Sequence, residues 1–180
     1  MEILSIGEKI RRARVYKGYT LKYICRDKIS VSKMSCIENN KINPEDWILE
    51  YVSDKLDLDI NYLQEDVKSQ IVKNIQCLKK EKFDDYEKKL EYNLEFAISY
   101  LYFEQAFEIM HMMLIYNIDK RNFDSIQAII PKYYDVSLKC KNIKYRLNYY
   151  MDIASYLFKF EEYMQAAGYY NTIKKEASEK

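Results

Sequence analysis

Between Ser30 and Pro44 the chain reads Ser-Val-Ser-Lys-Met-Ser-Cys-Ile-Glu-Asn-Asn-Lys-Ile-Asn-Pro, a run whose side chains suit non-covalent recognition more than bond-breaking. Ser30 can cap a helix N-terminus by accepting from a backbone N–H one turn on. Met34 and Ile37 lie three apart on one face, which predicts that they are buried together. Val31, Ser32, Lys33, Ser35 and Cys36 are left on the other faces, free to meet another molecule. Asn39-Asn40 tolerates the left-handed dihedrals that a helix C-cap needs. Asn43-Pro44-Glu45-Asp46 predicts a further helix opened by a cap, a first-turn proline and two acids on the positive dipole end. A helix as short as the one from Ser30 is marginal alone. A scaffold must hold it.

Chemistry of other kinds is missing. Cys25, Cys36, Cys77 and Cys140 are scattered, without the paired spacing of a metal site. The lone histidine lies in Met110-His111-Met112-Met113, a largely apolar stretch that predicts a partly buried side chain. With no glycine-rich loop and no carboxylate pair in a defined context, the expectation is a non-enzyme with no catalytic residue, metal ligand or cofactor. No apolar run approaches the length of a membrane span. No signal peptide is evident, so a cytoplasmic protein with no membrane partner is expected.

The flanking sequence supplies the scaffold. Ile6, Ile10 and Ala13 mark an amphipathic helix that carries Lys9, Arg11, Arg12 and Arg14 and stops at Gly18. Thr20 caps a second short helix with Leu21, Ile24 and Cys25 as its small and apolar positions, and only Asp27 to Ile29 separate it from Ser30. Two short helices so tightly linked form a helix-turn-helix arrangement. Ile48, Leu49, Val52 and Leu56 make a fourth amphipathic helix, and Asp59 caps a fifth with Ile60 and Leu63 facing inward. Five helices in roughly sixty-five residues are enough to fold without staples.

Ile6-Gly7-Glu8-Lys9-Ile10-Arg11, Arg14, Gly18-Tyr19-Thr20, and Met34-Ser35-Cys36-Ile37-Glu38-Asn39-Asn40-Lys41 through Pro44 together resemble the lambda-repressor/Cro-type DNA-binding domain, over about residues 5 to 65. The resemblance implies that the helix from Ser30 enters the DNA major groove and that Arg14 and Glu38 form the family's internal ion pair. It also implies a phosphate-contacting group of Thr20, Asn39 and Lys41 and a base-reading group of Val31, Ser32, Lys33 and Cys36, with Ser35 and the capping Ser30 beside them. The turn is about one residue short of the family's and puts Ile29 near the place the family gives glycine, and the C-cap is Asn40 instead of glycine. The base-reading set is short of the Arg, Gln and Asn side chains that make bidentate base contacts, so modest specificity per half-site, and a dimer on a pseudo-palindromic operator, are expected. Charge agrees independently: residues 1–44 carry ten Lys/Arg against four Asp/Glu, whereas residues 45–66 carry one lysine against eight acids. A whole-chain charge of +1 hides a strongly polarised N-terminal domain whose basic half coincides with the helix-turn-helix.

From Asp66 to Lys82 the pattern stays helical (Val67, Ile71, Ile75, Leu78), which predicts a stiff connection in place of a flexible linker. From Phe83 on, every segment has helical period, and only Pro131 and Gly168 interrupt. Tyr150, Ile153, Ala154, Leu157, Ala166 and Tyr170 have offsets that look like one tetratricopeptide repeat. The period continues with a degenerate signature around Tyr92–Ile118 and Phe123–Cys140, so three helical hairpins are expected. Nineteen tyrosines and three glycines in 180 residues fit such an array. The last repeat is followed closely by Lys174-Lys175-Glu176, where an array needs a polar cap, further repeats or a covering partner.

A helix-turn-helix joined to such repeats resembles the Rgg/PlcR-like group of peptide-responsive transcriptional regulators. The resemblance implies dimerisation through the repeats and a signalling peptide in their groove, as in quorum sensing, with asparagines of the type of Asn93, Asn117, Asn148 and Asn171 holding the peptide backbone. The sequence thus predicts an all-α protein: a five-helix lambda-repressor-like DNA-binding domain (residues 1–66), a connecting helix (67–82) and an antiparallel helical-hairpin, tetratricopeptide-like repeat region (83–180). The expected function is a dimeric, sequence-specific DNA-binding transcriptional regulator. Two rivals stay open: a protein-interaction adaptor that no longer binds DNA, and an antitoxin- or phage-type repressor whose repeats bind a protein.

Overall fold

The computed structural model describes residues 2–81 and 84–178. All its helices are α-helices: α1 (Ile6–Tyr16), α2 (Leu21–Cys25), α3 (Val31–Glu38), α4 (Asp46–Leu56), α5 (Ile60–Gln64), α6 (Val67–Lys80), α7 (Tyr86–Ser99), α8 (Phe103–Lys120), α9 (Phe123–Lys139), α10 (Lys144–Lys159) and α11 (Tyr163–Ser178). No strand occurs among the described residues, and the fold is all-α. The chain divides into two compact units between Lys73 and Asn74, within α6. The expected connection is a single helix as far as Lys80; its end at Lys82 and the start of the repeats at Phe83 lie outside the described residues.

In the first unit the helix starts follow the local sequence. Ser5 and Glu8 form a capping box on α1, the Ser5 hydroxyl accepting from the Glu8 N–H (3.2 Å) and the Glu8 carboxylate from the Ser5 N–H (2.8 Å). Thr20 caps α2 through the Tyr23 N–H (3.1 Å), Ser30 caps α3 through the Lys33 N–H (3.1 Å), and Asp59 caps α5 through the Asn61 N–H (2.8 Å). Gly18 takes a left-handed φ of 69° after α1, and Asn40 takes 55° after α3. The start of α4 differs from expectation. Its N-cap is Glu45, so Pro44 stands outside the helix and Asn43 further out still. The Glu45 carboxylate makes no capping bond, because the Lys33 ammonium and the Trp47 indole hold it instead.

The turn between α2 and α3 also differs. The strained residue is Arg26 (φ 43°, ψ −131°), in a region that glycine occupies without penalty. Ile29, expected near the glycine position, is instead 5% exposed and belongs to the core. The Cys25 carbonyl accepts from the N–H groups of both Lys28 (3.1 Å) and Ile29 (3.2 Å) and closes the turn. Lys9, which the sequence places on a basic face, is buried. Its ammonium donates to the Tyr62 and Glu65 carbonyls (both 2.6 Å) at the C-terminal end of α5, and burial pulls its pKa down.

Ile10, Ile24, Met34, Ile48, Val52, Leu56 and Leu63 are sealed in one core, with Ile37 beside them. α1 approaches the end of α3 closely at Gly7. A Cβ on Gly7 would lie 2.2 Å from the Ile37 carbonyl oxygen and 2.6 Å from Asn40 Oδ1. Gly7 is therefore needed for space; its φ is not in the left-handed region.

The second unit consists of consecutive packed helices joined by short turns. α8 with α9 and α10 with α11 make the most intimate pairs, and α7 lies on α8. Leu101 (φ 58°), Arg121 (φ 56°) and Glu161 (φ 66°) supply the left-handed residue after α7, α8 and α10. At each turn the next N–H reaches back to a carbonyl: Tyr102 to Ala97 (2.8 Å), Asn122 to Asn117 (3.0 Å) and Glu162 to Leu157 (2.9 Å). This is the bonding of a Schellman end, with no glycine in it. Arg121 and Glu161 occupy equivalent turns forty residues apart, against about thirty-four in a tetratricopeptide repeat. The expected hairpin at Phe123–Cys140 is one helix, α9. Neither Pro131 nor Gly168 interrupts: both lie inside helices on exposed positions, where the carbonyl freed by Pro131 is open to hydration. Ile153, Ala154 and Ala166 are buried as the repeat pattern requires, but Tyr170 is 42% exposed, and Tyr169 is the residue whose ring meets Tyr150 (6.1 Å).

Two consequences concern stability. Gly7→Ala should lower the unfolding free energy by about 2 kcal/mol, as overpacking against a backbone oxygen does. Arg26→Gly should raise it by about 1 kcal/mol by relieving the positive φ. Denaturant unfolding followed by the fluorescence of Trp47, the one tryptophan, reads both.

Candidate nucleic-acid interface

α3 is fixed from below and free above. Met34 and Ile37 are buried with Glu38, which is 4% exposed. Arg14 of α1 meets Glu38 in a two-pronged pair: Nε donates to Oε1 (2.6 Å) and Nη2 to Oε2 (2.7 Å), while Nη1 donates to the Tyr19 carbonyl (3.0 Å). The Glu38 carboxylate raises the pKa of Arg14 further, against the opposing effect of burial. This geometry engages three of the guanidinium's five N–H donors and fixes the rotation of α3 about its axis.

That rotation turns out the residues singled out from sequence. Val31 and Ser32 are exposed, and Lys33, Ser35 and Cys36 are half-buried along the same outer side. Asn39 and Lys41 are exposed at the end of the helix, with the Asn39 side-chain amide donating to the Ser35 carbonyl (2.7 Å). Thr20 and Ser30 are exposed at helix starts, but each hydroxyl accepts from a backbone N–H. Both keep a hydroxyl proton to donate.

Sequence reasoning missed what surrounds Lys33. Its Nζ donates to Glu45 Oε1 (2.8 Å) and lies 5.8 Å from the centre of the Trp47 ring, and the Trp47 indole N–H donates to the other oxygen of Glu45. Lys33, and then Trp47, hold the Glu45 carboxyl below the usual carboxylate range. The pair spans the loop between α3 and α4, so no helical spacing advertises it.

In the second unit the geometry gathers several open grooves, two of them with polar groups along an apolar floor or wall. One, of about 480 Å³, has a floor of Leu94, Ile98, Met110, Met113 and Ile129; α7 lines it with Glu87, Glu91 and Glu95, and α9 with Lys132, Lys139 and Asp135. The other, of about 430 Å³, is lined by Glu104, Glu108, His111, Tyr145, Asn148 and Asp152 among others. Of the four asparagines implied by resemblance, only Asn148 lines either groove. Asn93 is buried and accepts from the Asn74 amide (2.9 Å), Asn117 is buried and donates to the Met113 carbonyl (2.9 Å), and Asn171 is exposed on α11.

Asp152 of α10 is the polar hub of this unit. One carboxylate oxygen accepts from the Tyr133 hydroxyl of α9 (2.6 Å) and meets His111 Nδ1 of α8 (2.7 Å). Tyr133 is fully buried, and burial followed by the Asp152 charge raises its pKa. Its ring packs on Phe107 (4.6 Å) and Tyr149 (5.3 Å), so one cluster ties α8, α9 and α10. Among the described residues no group of three or more His, Cys, Asp and Glu could hold a metal ion, and no helix is long and apolar enough to cross a membrane.

No protein-family model and no curated protein matches this sequence. Solved structures similar to it include PlcR of Bacillus thuringiensis in complex with the peptide PapR7 and DNA, 15% identical over 94% of this chain and 78% of that one, with a TM-score of 0.35. ComR of S. thermophilus in complex with DNA and its signalling peptide ComS is 14% identical over 97% and 93%, with a TM-score of 0.41. The SHP pheromone receptor Rgg2 of Streptococcus dysgalactiae is 14% identical over 96% and 95%, with a TM-score of 0.32.

The hub has a pH signature. The Asp152 carboxylate raises the pKa of His111 above its ordinary 6.5, against burial and Lys79, with Glu108 adding to the rise. Protonated His111 is thus favoured in the native state; the stabilisation is complete below the unfolded value and disappears as pH rises through the native one. Melting of the second unit, followed by near-ultraviolet tyrosine dichroism, should fall in temperature as pH rises from the ordinary histidine value of 6.5 through the raised native one. His111→Gln should remove that part of the slope.

Proposed function

We propose that this chain is a sequence-specific DNA-binding transcriptional regulator that acts as a homodimer, with α2 and α3 as its helix-turn-helix. The observation that carries the reading is the clamped α3. Its apolar side and Glu38 are locked to the scaffold, while Val31, Ser32, Lys33, Ser35 and Cys36 face outward, flanked by Thr20, Asn39 and Lys41. In the proposed complex α3 lies in the major groove. Lys33 donates to guanine N7 or O6, Ser32 bonds either base type, Val31 packs on a thymine methyl, and Thr20, Asn39 and Lys41 hold phosphates. One such helix offers few base-edge donors, which supports two copies on a pseudo-palindromic operator with half-sites about 34 Å apart. The second unit serves dimerisation and takes a peptide or protein effector. The groove between the acidic side of α7 and the lysines of α9 suits an elongated partner with an apolar face and charges of both signs.

A salt-dependent mobility shift on duplex DNA tests the reading, and absence of binding at low salt would favour the adaptor. Within it, Lys33→Ala should weaken binding to a selected operator by about 1–3 kcal/mol and relax sequence preference. Lys41→Ala should weaken binding on all sequences alike and reduce the salt slope by about one. Equal losses on specific and random DNA for both variants would reject the assignment.

A further inference from the structure

Lys33 is the one cation in the outward row of α3, and it is not free in the DNA-free protein. Glu45 reaches across from the start of α4 to pair with it, and Trp47, two residues further along, holds the second oxygen of the same carboxylate. Three observations suggest that this arrangement has a role beyond folding. The Glu45 side chain is 59% exposed, so the pair buries little. Glu45 occupies the N-cap position but makes no capping bond, both of its carboxylate oxygens being taken by Lys33 and Trp47. Trp47 is 43% exposed on a helix that has Ile48, Leu49 and Val52 for its core side.

We propose that Glu45, anchored by Trp47, is a specificity-determining residue: it withholds Lys33 from the phosphates of random DNA and yields it only to a base-edge acceptor. The proposal rests on the DNA-binding reading above. Random-sequence binding is driven by cations that displace counterions from the phosphates. A lysine already neutralised by a carboxylate displaces none, so Lys33 adds nothing to random binding while the pair persists. A solvent-exposed pair is readily exchanged. A guanine edge at the right register offers N7 and O6 together, which a single phosphate oxygen beside the Glu45 charge does not match. Trp47 holds the carboxylate on the side of α4 that faces Lys33, so the pair re-forms whenever Lys33 has no better acceptor.

The test uses the whole 180-residue chain, a random-sequence 20-bp duplex, and a duplex selected from a random pool by the wild-type protein. Glu45→Gln should tighten binding to the random duplex roughly three- to tenfold at 0.1 M salt and steepen its log–log salt dependence by about 0.9. Binding to the selected duplex should change much less, so that the specificity ratio falls. Trp47→Phe, which keeps the ring and removes the N–H donor, should move both quantities in the same direction by a smaller amount. In a Lys33→Ala background the gain from Glu45→Gln should disappear. A gain that survives in that background, or that is equal on both duplexes, would show general charge repulsion and overturn the proposal. So would unchanged random binding by Glu45→Gln alongside normal wild-type binding, which leaves the DNA-binding reading standing. Failure of the wild-type protein to bind either duplex at low salt overturns both. Since Glu45 caps nothing, the Gln variant should melt with the wild type.

Discussion

The bidentate pair between Arg14 and Glu38 is the constraint on which the first unit depends. α3 has eight residues and cannot hold its own conformation or orientation. The apolar pair Met34 and Ile37 draws it toward the core but leaves its rotation loosely set, because an apolar contact has no direction. A fork of two charge-assisted bonds does have direction. With Glu38 held by Arg14 and the Ile37 carbonyl pressed against Gly7, one rotation and one depth remain, and they bring Val31, Ser32, Ser35 and Cys36 to the outside. A buried pair of this kind contributes little net stability once its desolvation is counted, but losing one partner leaves a buried charge and costs about 3–5 kcal/mol. Its value lies in orientation.

What was legible in the sequence was the part written in short-range chemistry. Thr20, Ser30 and Asp59 start helices through bonds to N–H groups two or three residues away. The buried sides of α1, α3 and α4 follow from helical period. Where a side chain had a distant competitor, local reading went astray. Lys9 looked like a surface cation until the end of α5 supplied two carbonyls, and Glu45 looked like a dipole-stabilising acid until Lys33 and Trp47 took its carboxylate. The turn before α3 failed for a related reason. Ile29 was needed in the core, so the positive φ moved back to Arg26, against that residue's preference.

The second unit was harder to read because its punctuation is unusual. Helix ends are ordinarily marked by glycine, but here Leu101, Arg121 and Glu161 carry the left-handed conformation, at a cost of about 1 kcal/mol or more each. The compensation comes from aromatic packing across the turns and helices: Phe123 on Phe160, Phe158 on Tyr163, and Phe107, Tyr133 and Tyr149 in sequence. Glycine and proline, the residues that usually signal a break, sit inside α11 and α9 on exposed positions, with open space around Gly168. The candidate peptide asparagines show the same gap between residue type and place: Asn93 and Asn117 were drawn into the interior by partners on nearby turns and helices.

These two styles of construction bear on how the proposed regulator would discriminate. Random DNA attracts any basic surface, so a reader with only one lysine among its base-facing positions gains specificity by making that lysine conditional before adding further contacts. The Glu45 pair makes it conditional at each α3, and the product of two conditional contacts is sharper than either alone. That product exists only while the two helices are held at one turn of the duplex. In the proposed dimer, whatever changes the pairing of the second units then acts on the whole of the specificity while leaving the affinity of each α3 for phosphate unaltered, so an effector bound remote from α3 needs to move no residue of the interface itself.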